Sequence, residues 1–300
     1  MGNLPETISE SDAWRCILAL RHSQRKQPHA EGWAIFSGPA GFDGIAIELA
    51  QSEAVLAQVD VSGVVNVCGS ISAPVAALLR LYLPFCAGAD DITVAHLGQS
   101  LDGKIATVNG DSHYVTGAQD ILHNHRMRAL FDAVVVGSGT VQHDDPQLTV
   151  RHCDGSNPVR VVIDTERRLS DTYRLFQDCE ARTILICSED KVEGQTRHGA
   201  AEVIGVPCSA DGLSPRQLSV ALALRGCRRL FVEGGGITVS RFLEARCLDR
   251  LQVTVSPMIV GSGRAAITLP EVTRLSDGLR PETRRFDFGE DVMFECRFDA

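Results

Sequence analysis

The chain has 300 residues, with 29 Lys+Arg against 38 Asp+Glu for a net charge of −9, 44% hydrophobic and 22% charged. This is ordinary globular usage, sized for one large domain or two modest ones, and it excludes global disorder. The acidic balance argues against nucleic acid as the main partner and leaves room for a local basic pocket around one small phosphorylated ligand. No apolar run approaches the ~20 residues that span a bilayer, and the acidic Met1–Glu10 lacks the basic start and apolar middle of a signal peptide, so a cytoplasmic protein without a membrane partner is expected.

The predicted elements fall into two groups. In the first, residues 8–27 read as an amphipathic helix capped by Ser9 or Ser11, with Trp14, Ile17, Leu18 and Leu20 on or near its apolar face and Pro28 ending it. Apolar runs at 33–36, 44–49 and 61–68, separated by turn residues, predict strands, and 73–83 predicts a helix up to Pro84. A boundary falls near 88–91, giving an N-terminal α+β extension over residues 1–88, of unassigned role, and a second domain over residues 89–300.

From Asp91 onward strands and helices alternate. Strands are predicted at 92–97, 133–136, 159–163, 183–187, 202–204, 230–232, 251–256 and 292–298, the last ones antiparallel at an edge. Helices are predicted at 117–131, capped by Thr116, and at 214–224 and 237–245. This alternation implies an α/β domain with a mostly parallel, covered sheet. The full GxGxxG dinucleotide fingerprint is absent.

Three glycine-marked segments carry candidate chemistry. In Gly98–Thr107 a strand runs into an Asp102-Gly103 turn that lets backbone approach a ligand and projects the Lys104 cation; a hairpin turn with a solvated lysine is the alternative. In Gly137–Arg151, small residues follow a buried strand and leave room for a cofactor, while Asp144-Asp145 can accept hydrogen bonds or cap a turn. Glu233-Gly234-Gly235-Gly236 joins a strand to a helix, an arrangement that presents free N–H groups to a pyrophosphate or packs helix tightly on sheet. Glu233, with few structural partners expected, aims a carboxylate beside that phosphate.

Two patterns point nowhere. His29-Ala30-Glu31 matches half of a zinc deaminase signature, but the P-C-x-x-C half is missing and no metal site is expected. His123 and His125 do not share a helix face and, with His113 and His143, read as solvated or capping groups. The ten cysteines never fall in CxxC spacing and read as reduced, partly buried thiols.

Five segments in order, LGQSLDGKIAT, GDSHYVTG, RALFDAVVVGSGTVQHDDPQLTVR, PVRVVIDT and FVEGGG, resemble the pyrimidine reductase of riboflavin biosynthesis. This is the reductase half of the bifunctional deaminase–reductase RibD and also a free-standing enzyme. The resemblance implies a dihydrofolate-reductase-like fold, NADPH as cofactor, a homodimer, and reduction of the ribosyl group of a phosphoribosylamino-pyrimidine to ribityl. It implies that Gln99, Tyr114, Thr140, Asp144, Thr165 and Gly234–Gly236 hold NADPH, with Arg167 or Arg168 adding charge at the 2′-phosphate. It implies that Ser112, Arg128, Leu148, Arg151 and Glu233 bind substrate, Arg128 and Arg151 as a phosphate clamp, with Lys104 and Glu233 as catalytic candidates. The front segment departs from the bifunctional members, being too short for their deaminase. A reductase of another heterocycle, such as a pterin or a specialised-metabolite intermediate, and a non-catalytic nucleotide-binding regulator are the alternatives.

Overall fold

A computed structural model of the chain describes residues 8–24, 33–38, 41–46, 55–60, 62–68, 70–87, 91–112, 115–210 and 212–298. The chain divides into two compact units, Met1–Asp90 and Asp91–Ala300.

The first unit contains α1 (Glu10–Gln24), β1 (Trp33–Gly38), β2 (Gly41–Ala46), β3 (Val55–Val59), β4 (Val65–Val67) and α2 (Ala73–Tyr82). Its antiparallel sheet runs in the order β2-β1-β3-β4. Ser9 caps α1, its Oγ accepting from the Asp12 amide at 3.1 Å. Trp14 meets Tyr82 edge to face with ring centroids 5.5 Å apart, a favoured aromatic geometry that locks α1 to α2. Two strand expectations shift: 44–46 of the run expected at 44–49 lie in β2, with 47–49 outside the described residues, and 61–68 shortens to β4, because Asp60 turns residues 62–64 by accepting from the Ser62 and Val64 amides. β3 was not anticipated. His29, Glu31 and residues 25–27 of the expected helix lie outside the described residues.

The second unit is a mixed α/β fold with a large central sheet flanked by helices. Its elements are β5 (Ile92–Ser100), β6 (Lys104–Thr107), α3 (Ala118–Leu130), β7 (Ala133–Gly137), α4 (Ser138–Asp144), β8 (Val159–Ile163), α5 (Arg174–Gln177), β9 (Thr183–Ser188), β10 (Arg197–His198), β11 (Ala201–Val206), β12 (Cys208–Ser209), β13 (Gly212–Leu213), α6 (Pro215–Ala223), β14 (Arg229–Glu233), α7 (Gly236–Glu244), β15 (Arg250–Ser256), β16 (Gly263–Ala265), β17 (Glu282–Phe288) and β18 (Asp291–Arg297). The ten-stranded sheet runs β10-β11-β9-β8-β7-β14-β5-β15-β18-β17. From β11 through to β15 every pairing is parallel. β18 and β17 close one edge and β10 the other, all antiparallel.

The parallel strands are apolar on both faces, as helices on each side require. Ala133, Val134, Val135 and Val136 are all buried, as are Ile184, Leu185, Ile186 and Cys187. Arg160 on β8 is fully buried, and its guanidinium donates to Thr183 Oγ1 at 2.9 Å, Ala181 O at 2.9 Å and Asp178 Oδ2 at 3.1 Å. Those bonds are what make a buried cation tolerable.

Several expectations change here. α3 is capped by Gly117, whose amide donates to Asp291 Oδ2 at 2.7 Å, while Thr116 turns its hydroxyl onto Asp120. Residues 138–144, where no helix is predicted, form α4. β17, rich in charged residues and carrying no apolar run, was missed because it lies at the sheet edge. His123 and His125 are buried rather than solvated. All ten cysteines are free; Cys16, Cys86, Cys187 and Cys227 are buried, and Cys68, Cys179 and Cys208 are exposed. No helix among the described residues is long and apolar enough to cross a membrane, and no metal-holding group of His, Cys, Asp and Glu is found among them.

Candidate active site

Four parallel strands open on one edge of the sheet: β5 at Gly98, two residues before its end, β7 at Gly137, β8 just before Thr165, and β14 at Glu233. Residues at all four ends line a single cleft of about 890 Å³. The carboxyl edge of a parallel sheet is where chain crossings open such crevices.

The cleft brings together Ser112, Thr140, Asp144, Leu148, Thr165, Glu233, Gly234, Gly235 and Gly236. Asp144 and Asp145 part company. Asp144 accepts from Ser112 Oγ at 3.3 Å, while Asp145, left-handed at the end of α4, accepts from the Arg174 amide at 2.9 Å. Leu148 is buried with φ of 54°, an uncommon backbone for a branched side chain and a mark of local constraint.

The glycines divide by role. A Cβ on Gly236 would lie 2.4 Å from Ala266 O and 2.6 Å from Ala265 O, so this glycine is required by packing. On Gly234 and Gly235 the nearest atom would be Thr140 Oγ1 at 3.6 and 3.8 Å, ordinary contact that leaves the backbone open to a ligand. Thr140 Oγ1 accepts from the Gly235 amide at 3.2 Å, tying the turn to α4. On Gly139 a Cβ would meet open space.

Other expected residues stand outside the cleft. Gln99 and Lys104 do not line it; Gln99 sits opposite Val255 in the β5–β15 pairing, and Lys104 pairs with Ala265. Arg128, 7% exposed, is committed beneath it: Nε donates to Glu233 Oε2 at 2.8 Å, Nη2 donates to Glu233 Oε1, and Nη1 donates to Thr149 O at 3.0 Å. The phosphate clamp expected of Arg128 is thus occupied by protein, and Glu233 has the structural partner it was expected to lack. Arg151 is exposed and leans on Thr149, Nη1 donating to Oγ1 at 2.6 Å. Arg167, with φ of 51°, donates to the carbonyls of Lys191, Val192 and Arg197, which removes it from the 2′-phosphate role. Arg168 is exposed, with Glu166 4.0 Å away, and Lys191 lies 3.6 Å from the same carboxylate. Tyr114 and His113 lie outside the described residues.

Sequence reasoning missed a polar cluster on the floor. His96 Nε2 lies 2.9 Å from Asp120 Oδ1 and 3.2 Å from Thr254 Oγ1, and His96 and Asp120 both line the cleft. Asp120 also accepts from Thr116 Oγ1 at 2.7 Å and Thr254 Oγ1 at 2.6 Å. Burial alone would lower the His96 pKa, but the Asp120 carboxylate outweighs it and raises it above the ordinary histidine value. For Asp120, burial works upward and the attraction of His96 wins, holding the carboxyl well below its usual range. His123, whose Nε2 lies 2.8 Å from Gln252 Oε1, is pushed down to about 3, first by burial and then by repulsion from His96. The available signal was strand alternation: His96 and Gly98 share a face, and His96 pairs in register with Glu233. Arg241, Arg264 and Asn124 also line the cleft and were not foreseen.

The cleft fits a dinucleotide. Asn124 lines the cleft, and its Oδ1 is buried without a hydrogen-bond partner among the described residues. The open backbone at Gly234, Gly235 and Gly139, the start of α7 and the Arg241 guanidinium suit a pyrophosphate.

Residues 92–285 match the RibD C-terminal domain family. The chain is 34% identical over 218 residues to the 2,5-diamino-6-ribosylamino-4(3H)-pyrimidinone 5′-phosphate reductase of Methanothermobacter thermautotrophicus, covering 67% of this chain and 95% of that one. It is 31% identical over 199 residues to the riboflavin biosynthesis protein RibD of Aquifex aeolicus, covering 65% of this chain and 54% of that one. Among solved structures, a diaminohydroxyphosphoribosylaminopyrimidine deaminase/5-amino-6-(5-phosphoribosylamino)uracil reductase from Thermotoga maritima superposes with a TM-score of 0.60 at 27% identity, over 75% of this chain and 61% of that one.

Proposed function

Because the chain belongs to the RibD C-terminal domain family, we propose that it is an NADPH-dependent oxidoreductase of riboflavin biosynthesis that reduces the ribosyl group of a phosphoribosylamino-pyrimidine to ribityl. The observation that carries this reading is the single cleft, which holds cofactor-side positions (Thr140, Asp144, Thr165, Gly234 and Gly235) and substrate-side positions (Ser112, Leu148 and Glu233) in one space. The similarity to a named pyrimidinone phosphate reductase over 95% of that enzyme supports the substrate class.

Bound reduced nicotinamide supplies a hydride to the sugar carbon C1′. The chain's part is to bind, orient and exclude water. The glycine turn and Arg241 receive the pyrophosphate. Thr165 and Arg168 would receive the 2′-phosphate, with Glu166 flanked by Arg168 at 4.0 Å and Lys191 at 3.6 Å. Glu233, fixed by Arg128, offers its oxygens to substrate hydroxyls. Arg151 and Arg264 supply cations for the substrate phosphate. The same reading takes the enzyme to be a cytoplasmic homodimer.

The engagement of Arg128 by Glu233 favours one second reading, a reductase of the same fold acting on another heterocycle. Complementation of a strain lacking the riboflavin reductase separates the two: rescue supports the first, and failure by a protein that binds NADPH supports the second.

A further inference from the structure

We infer that His96 is the general acid of this reduction, giving its Nδ1 proton to the sugar ring oxygen as the ring opens. The inference rests on the function proposed above.

His96 and Glu233 face each other across the β5–β14 pairing, so imidazole and carboxylate stand side by side on the cleft floor. His96 is 3% exposed yet lines the cleft. Its Nε2 is anchored on Asp120, and Nδ1 has no partner among the described residues. Asp120 already receives two hydroxyl protons, from Thr116 and Thr254, so it stays an acceptor and takes the hydrogen on Nε2. That fixes the tautomer and leaves Nδ1 as the edge that gains and loses a proton. Burial opposes the imidazolium most, with Arg128 and His123 of α3 adding to it, while Asp120 of α3 and Glu233 of β14 favour the charge, and the balance raises the pKa above the ordinary histidine value. Thr254 of β15 and Phe231 of β14 complete the surroundings without charge. Glu233 is held by Arg128, Asp120 is an acceptor for Thr116, Thr254 and His96, and Asp144 is exposed, which leaves His96 as the buried proton source on the cleft floor.

The step balances as follows. The C1′–O4′ bond breaks, its electron pair goes to O4′, and O4′ takes the Nδ1 proton. The lone pair of the exocyclic nitrogen closes a C=N bond. The hydride supplied by nicotinamide then forms the new C–H bond at C1′, and the C=N π pair returns to nitrogen. One hydride and one proton are consumed, and solvent reprotonates the imidazole.

The test uses the full chain, NADPH and the phosphoribosylamino-pyrimidine. Wild type shows an alkaline fall in kcat governed by His96. His96→Gln, which retains a hydrogen bond to Asp120, lowers kcat by ~10²–10⁴-fold and removes that limb while NADPH binding persists. Asp120→Asn moves the limb to lower pH, and a histidine-ring NMR titration of the cofactor-free protein shows the His96 signal moving with it. Wild type that binds NADPH but never turns over this substrate overturns the proposed function and the proton step together. Turnover by wild type with kcat and limb unchanged in His96→Gln overturns the proton step alone. Should His96→Gln fail to fold, an unmoved limb and an unmoved NMR titration in Asp120→Asn overturn it equally.

Discussion

Arg128 and Glu233, 105 positions apart in sequence, meet as a two-point ion pair, with Nε donating to Oε2 at 2.8 Å and Nη2 to Oε1. The pair joins α3 to the end of β14 directly below the glycine turn. Glu233→Ala leaves a largely buried guanidinium with one carbonyl partner, which costs about 3–5 kcal/mol when a buried pair is broken. Glu233→Gln keeps one acceptor and loses about 1–3 kcal/mol. Denaturant unfolding checks both values. Turnover falls in each variant, and NADPH binding stays nearly intact in Glu233→Gln.

The glycine turn separates packing from binding. Gly236→Ala drives a methyl into the carbonyls of Ala265 and Ala266 and destabilises by about 1–3 kcal/mol, visible as a lower melting temperature. Gly235→Ala meets only Thr140 Oγ1 at 3.8 Å, so stability holds and the NADPH dissociation constant rises. Equal behaviour of the two would show that the turn does not face the pyrophosphate.

Cofactor choice turns on Arg168. NADPH binds at least about tenfold tighter than NADH, equivalent to ~1.4 kcal/mol, and Arg168→Ala narrows that gap with little change in stability. Arg167→Ala does the reverse. It strips hydrogen bonds from three carbonyls and lowers stability, leaving the NADPH/NADH ratio alone. Calorimetric titration with both nucleotides reads the ratio.

Stability depends on pH through histidines of opposite sign, His96 raised and His123 and His125 lowered, burial being the largest cause for the last two. The folded pKa of His123 is lowered to about 3, so its contribution is complete above the ordinary histidine value of 6.5 and is lost as pH falls toward 3. Each falling unit in that window costs up to about 1.4 kcal/mol, because the unfolded chain binds the proton that the folded chain refuses. His96 has a raised folded pKa, so its contribution is complete below 6.5 and fades as pH rises through the folded value. His123→Gln flattens the acid side of a stability–pH curve in part, His125 keeping the rest, and the double variant with His125→Gln flattens it further; an acid slope unchanged in both would show that another group governs it.

The parallel sheet was legible because buried strands such as 133–136 read as continuous apolar runs between helical periods. The cleft was legible at its glycines, since strand–glycine–helix junctions leave a local signature. What stayed hidden was long-range pairing. Nothing near Arg128 in sequence shows that Glu233 takes its guanidinium, or that Asp120 and Thr254, 134 positions apart, close around His96. α4 was missed because Gly137, Ser138 and Gly139 carry loop propensity that packing on β7 and β8 overrides. The edge strand β17 was missed because solvated strands lose the apolar pattern.

The measurement that tests the central reading most directly is product analysis with NADPH deuterated at the transferable C4 position. Purified full chain is incubated with the phosphoribosylamino-pyrimidine, in its diamino and its deaminated forms, and the product is read by mass spectrometry. The account predicts a ribityl product from at least one form, with a single deuterium at C1′ and matching loss of nicotinamide absorbance. Unchanged sugar in both, with NADPH bound but not oxidised, would contradict it.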